Sequence, residues 1–338
     1  MTKLTPNGLR TVSSFQRVYS PSNYTSLLQF QAQYRHASST STNTTSKETN
    51  RSTLNGPLST HPAPLVLPTR KEYPSTFKYL FNLGKTYANF YKTGGKNIYH
   101  NYRATQPIKS KINAHYPPSR HDPAVALRSY LHSQGLTRAE FQLLIRSWHD
   151  TKRVPLFGLV FLICGEFTPL VVLAISNIVP WTCRIPRQIE KDRRVLEERR
   201  GISFRNLTMA PPTEKGGALV RMQLIHVSWS LGLSSSVWDY LGGQYPGLPD
   251  WMLRRRVKRR VEYLEMDDML LRKGKVEELD VEEARMACVE RGINVVGRPE
   301  RDIRGDLEAW LKAKEKGAPI ERLLLSRPNV WPSTAKHT

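Results

Sequence analysis

The chain has 338 residues, a net charge of +22 and three cysteines, Cys164, Cys183 and Cys288, with no CxxC pair among them. Scattered cysteines exclude a disulfide framework, and the charge favours an anionic partner such as nucleic acid, a ribosome or acidic lipid. No Gly-rich phosphate loop, GxSxG, HExxH, EF-hand loop or metal-spaced Cys/His cluster occurs, so an enzyme is disfavoured and neither cofactor nor metal is expected.

Residues 1–38 have the composition of a mitochondrial presequence: Arg10, Arg17 and Arg35, abundant Ser and Thr, and no acid before Glu48. Leu9, Val12, Phe15 and Val18 recur at helical spacing. Residues 39–75 hold few large apolar groups and read as a disordered linker. Residues 76–153 are expected to form amphipathic and pre-membrane helices. From Thr76 to Tyr102 aromatic residues interleave with Lys78, Lys85, Lys92 and Lys96, which suits either an interfacial helix on anionic lipid or a helix packed on the rest of the protein. Gly94-Gly95 is expected to break or bend it. A helical hairpin follows over Ala124–Asp150. Thr137 with Glu140 forms a capping box, Leu136 with Phe141 a hydrophobic staple, and Phe141, Leu144, Ile145 and Trp148 one packing face.

Val154–Pro180 is the most apolar stretch, with sixteen residues of Leu, Ile, Val or Phe. That is enough for one transmembrane helix, which needs about 20 predominantly apolar residues. Glu166 sits near its middle with Pro169 three residues on. An intramembrane carboxylate must face protein, water or an ion, so Glu166 and Pro169 are candidates for an ion or proton pathway beside the plainer reading of an anchor. From Arg70 to Arg153 there are fifteen basic and four acidic residues, so charge counting alone would place the N-terminal flank on the matrix side.

Residues 181–331 read as helical, and 332–338 as a disordered tail. Arg184–Arg200 mixes both charge signs and suits a solvated helix at the membrane surface. In the helix after Trp251, Leu253, Val257, Val261 and Leu264 form one apolar stripe. Arg254, Arg255, Arg256, Lys258, Arg259 and Arg260 cover most of the remainder, which suits phosphate recognition on RNA or a ribosome without base readout. Asp267-Asp268 reads as an intrahelical counter-charge rather than a metal site. Asp280, Glu283 and Gly292 mark the N-cap, the N3 position and the stop of a short helix. The next follows Pro299 with Ile303, Leu307, Trp310 and Leu311 inward, and Pro319–Trp331 forms a last one with Leu323, Leu324 and Leu325 packing back.

Four stretches together resemble the LETM family, the leucine zipper–EF-hand-containing transmembrane proteins of the mitochondrial inner membrane. They are LTRAEFQLLIRSWHDTKRVPLF; Glu166, Pro169 and Pro180; LRRRVKRRVEYLEMDDMLL; and LDVEEARMACVERGINVVG with DIRGDLEAWL and LLLSR. The resemblance runs from about Thr76 to Trp331 and is greatest to short members without the EF-hand. It implies a mainly α, single-pass membrane protein with an all-α, ribosome-binding domain in the matrix. It also implies mitochondrial ribosomes and inner-membrane lipids as partners, a possible homo-oligomer or other inner-membrane partners, no DNA, and a part in potassium/proton homeostasis. An inner-membrane scaffold or assembly factor without transport is the alternative.

Overall fold

Every regular element among the described residues is a helix. The computed structural model describes residues 53–73, 75–118, 120, 122–164, 179–207, 219–234 and 248–331. All lie within one unit, Arg51–Thr338. The expected presequence and C-terminal tail lie outside them, as do Glu166 and Pro169.

Helix α1 spans Thr76–His115 and opens on Ser75, whose side chain accepts from the Lys78 N–H. Its 40 residues make a rod of about 60 Å. The helix runs unbroken through Gly94-Gly95, contrary to the expected bend. The reason is a close approach. A Cβ on Gly94 would lie 2.6 Å from Cys183 Sγ and 3.1 Å from the Thr182 carbonyl, so Gly94 is where the segment Trp181–Cys183 seats on α1. Helix α2, Pro123–Gln134, is capped by Asp122, which accepts from the Ala124 N–H at 2.8 Å.

Helix α3, Arg138–Cys164, starts at the expected capping box: Glu140 accepts from the Thr137 N–H at 3.1 Å and donates its own N–H to Thr137 Oγ1 at 3.2 Å. Leu136 and Phe141 are buried together with Ile108 and Ile112 of α1 and Leu131 of α2. Trp148 departs from the expected packing face. It is exposed, with Lys152 Nζ 3.5 Å from its ring centre. The pre-membrane helix and the first part of the expected span are thus one continuous helix, carrying Pro155 internally. Among the described residues no helix is long and apolar enough to cross a membrane; residues 165–178 of the expected span lie outside them.

Helix α4 is Pro186–Leu207 and helix α5 is Arg221–Ser230. Helix α6, Asp250–Leu271, buries Leu253, Val257, Val261 and Leu264 as its stripe requires. Helix α7, Val281–Glu290, stops at Gly292, whose φ of 78° is open to glycine at little steric penalty. Helix α8, Glu300–Glu315, turns Ile303, Leu307, Trp310 and Leu311 inward, and a short helix α9, Ile320–Leu324, closes the core with Leu323 and Leu324. Helices α5 to α9 share one hydrophobic core, sealed by Leu54 and Trp331. Met266 and Leu270 of α6 belong to the second core, under α1 to α3.

Leu54 marks a further departure. The linker expected over 39–75 is not free of structure where it is described. The Thr53 carbonyl accepts from the Ala139 N–H at 3.0 Å, and Asn55 bridges the Glu278 carbonyl and the Asp280 N–H. Ser59 and Asn101 exchange two hydrogen bonds. Asn55, Ser59, Thr60 and His61 of this strap each find a backbone or side-chain partner, so apolar content underestimates it.

Candidate functional site

Helix α6 has two halves of opposite character. In its first half Trp251, Arg254, Arg255, Lys258 and Arg259 fall at i, i+3, i+4, i+7 and i+8, and all five are exposed. The spacing is that of one helical face. None of the four cations is paired with a carboxylate among the described residues. The other two expected contacts are employed within the fold. Arg256 donates to the Leu233 carbonyl at 2.5 Å, and the Arg260 guanidinium lies over the Tyr263 ring, 5.4 Å from its centre. Trp251, 65 % exposed, was not among the expected contacts. The i+3 and i+4 offsets to Arg254 and Arg255 are the signal that places it on their face.

The second half of α6 turns its acids inward. Asp267 and Asp268 are buried, so they are not surface counter-charges to the arginines nearby. Arg291 of α7's C-terminal turn bonds both, Nη2 lying 2.7 Å from Asp267 and 2.6 Å from Asp268. Arg138 of α3 reaches Asp267 at 2.8 Å, where Gln142 also donates, and Trp310 donates its indole N–H to Asp268 at 2.9 Å. Arg138 continues to Glu283 at 3.1 Å and to the Leu54 carbonyl at 2.8 Å. Glu283 is gripped by Arg146 through both oxygens, at 2.5 and 2.9 Å, and by His61 at 2.8 Å.

Glu283, expected at N3 of a capped helix, therefore faces inward. Asp280 stands at the N-cap position without a side-chain cap, and Asn55 accepts from its N–H instead. Burial pushes the Glu283 carboxyl up, but the His61 bond and then Arg146 and Arg138 outweigh it and leave the group below its ordinary value. Asp267 behaves alike: burial raises it, and Arg138 and Arg291 together bring it below the usual range. These carboxylates are ionised locks. Among the described residues no group of three or more His, Cys, Asp or Glu could hold a metal ion.

Residues 241–330, which contain α6 to α9, match the family model described as LETM1-like, RBD. Residues 241–330 are thus similar to a LETM1-like domain. Residues 71–209, with α1 to α4, match a second model, described as Pentamidine resistance factor domain. The LETM1-like match thus begins well after Thr76, where the resemblance read from the sequence began. No solved structure matches the chain. The charge network joins the two matched regions. Arg138, Gln142 and Arg146 come from the first, Asp267, Asp268, Glu283, Arg291 and Trp310 from the second, and His61 and Leu54 from the strap before both.

Proposed function

We propose that this LETM1-like chain is a non-enzymatic inner-membrane tether that holds mitochondrial ribosomes to the matrix face through α6. The observation that carries this reading is the exposed cationic face of Arg254, Arg255, Lys258 and Arg259 within the LETM1-like region. Guanidinium and ammonium groups on a rigid helix bind phosphate oxygens, and binding is driven by release of condensed counterions. Trp251 at the end of the same face offers a flat surface for an unstacked base. Residues 154–180 supply the anchor, beginning in the exposed apolar turns of α3 at Val154, Leu156 and Leu159.

The test is co-sedimentation of the protein with mitochondrial ribosomes from lysed organelles across a salt series. Replacing Arg254, Arg255, Lys258 and Arg259 by Glu should abolish it while the circular dichroism of the protein is unchanged. Undiminished co-sedimentation would overturn the role of α6 and favour an inner-membrane scaffold, whose protein neighbours cross-linking in intact mitochondria would then reveal.

Exchange of potassium for protons is a second reading, favoured by a carboxylate in apolar sequence at Glu166 with Pro169 beside it. One span cannot enclose a pathway, so this reading also requires a homo-oligomer or another membrane protein. It predicts that Glu166→Gln blocks potassium-driven swelling of mitochondria. Swelling that proceeds unchanged removes Glu166 from any pathway.

A further inference from the structure

Helix α1 contains seven lysines and arginines and no acidic residue. Turning about 100° per residue, its buried positions Phe90, Gly94, Asn101, Thr105, Ile108 and Ile112 fall within roughly a 60° arc, which is the core-facing side. About 120° round the helix from that side Phe77, Phe81, Tyr99 and Tyr102 share another arc of about that width, and all four are exposed. Lys78, Lys85, Lys92, Lys96 and Arg103 form a row along one edge of this stripe, exposed and unpaired with any carboxylate among the described residues.

Helix α3 packs beside α1. Tyr91 packs on Phe157 with ring centres 6.4 Å apart, while Ile108 and Ile112 pack with Phe141 and Leu144 at the other end. The two helices are therefore antiparallel. The opening turns of α1, with Phe77 and Phe81 exposed, lie toward the same end as the closing turns of α3. There Leu159, Leu162 and Ile163 are exposed too, at 51 %, 81 % and 74 %. Beyond Cys164 the sequence stays predominantly apolar to Pro180, with Glu166 its one ionisable residue.

We infer that α1 lies against the surface of an anionic phospholipid bilayer, with its aromatic stripe in the acyl boundary and its lysine row on the phosphates. An acid-free cationic row beside an apolar stripe is complementary to that surface on both counts. The aromatic rings by themselves would also stack bases, but the exposed aliphatic Leu159, Leu162 and Ile163 at the same end give nucleic acid nothing to stack on, so RNA is the poorer occupant. Lysine stems are long enough to cross the stripe's edge and keep the ammonium in water. The inference rests on the anchor proposed above, and its test reads the two separately.

The full-length protein, with Cys164→Ser, is reconstituted into phosphatidylcholine vesicles with and without a third of phosphatidylglycerol. A nitroxide is attached at Phe81→Cys on the stripe or at Asn89→Cys, which is exposed off the stripe; the remaining cysteines, Cys183 and Cys288, are buried. The expected result is loss of access to an aqueous nickel reagent at 81 but not at 89 in the anionic vesicles. Lys78, Lys85, Lys92 and Lys96 replaced by Glu should restore access at 81. Equal access at both positions, or protection at 81 by added RNA in place of anionic lipid, would overturn the inference. Resistance to carbonate extraction reads the anchor alone. An extractable chain still protected at 81 would sink the anchor and leave the α1 contact standing.

Discussion

Three guanidiniums, Arg138, Arg146 and Arg291, share the interior with three carboxylates, Asp267, Asp268 and Glu283, and none can lose its partner without stranding a charge. Such a network is no guarantee of stability as a whole, since desolvation opposes it, but removing one member of a buried pair is severe. Arg291→Met leaves Asp267 and Asp268 short of the partner they share, so the urea midpoint should fall by the equivalent of about 3–5 kcal/mol. The half-exposed pair of Arg128 and Glu265 should contribute under about 1 kcal/mol in the same assay. His226 offers a pH test. It is buried between Ser203 and Leu324, hydrogen-bonded at 2.8 and 3.2 Å, and burial lowers it to about 4. Its unfolded value is about 6.5, so the unfolded chain binds the extra proton between those limits. Stability linked to this group is therefore complete above about pH 6.5 and falls as pH drops toward 4, by up to about 1.4 kcal/mol per pH unit. Asp267 and Glu283, held below their ordinary values, lose their contribution only at still lower pH. Unfolding midpoints between pH 7 and pH 4.5 should thus decline in the wild type and flatten in His226→Asn. A slope that survives the substitution would assign the loss to other groups.

Adjacent glycines in α1 make a controlled pair at the scale of the element. Both are interior helical positions, where Gly→Ala gains about 1 kcal/mol if nothing obstructs the methyl group. Nothing lies within 4 Å of a Cβ on Gly95, so Gly95→Ala should stabilise by that order. On Gly94 the same methyl meets Cys183 Sγ and the Thr182 carbonyl, and overpacking against backbone costs about 1–3 kcal/mol. The two variants should move the thermal midpoint in opposite directions; movement in the same direction would mean that Trp181–Cys183 does not seat on α1. The pair also shows what could be read from residues alone. The Thr137–Glu140 box and the Leu253–Leu264 stripe were legible because each is a local pattern whose physics closes within a few turns. Gly94-Gly95 reads as a break or bend because a helix tolerating glycine for a close approach looks, in one dimension, like a helix interrupted. Trp148 fits the apolar period of α3 but is exposed, with Lys152, one turn on, over its ring. The strap at residues 53–61 and the inward acids of α6 could not be read, since Asn55 and Asp280, or Arg138 and Glu283, are joined only by the fold.

At the scale of the whole molecule the network joins the two matched regions, so the cationic row of α1 and the cationic face of α6 belong to one arrangement, and the proposals above give them separate duties. Net charge alone, +22 over the chain, would make every surface an equal candidate for polyanions. The structure argues otherwise, because Arg256 and Arg260 are engaged within the fold while Arg254, Arg255, Lys258 and Arg259 are exposed without a carboxylate partner among the described residues. If those four contact phosphate, each contributes roughly 0.7–0.9 to the slope of log affinity against log salt. Replacing all four by Gln should lower the slope for ribosome binding by about three, with weaker binding at every salt concentration. Replacing Lys78, Lys85, Lys92 and Lys96 by Gln removes the same charge from α1 and should leave that slope unchanged. A like decrease from both variants would mean that ribosomes sense the total charge of the protein, and the division of labour between α1 and α6 would fail.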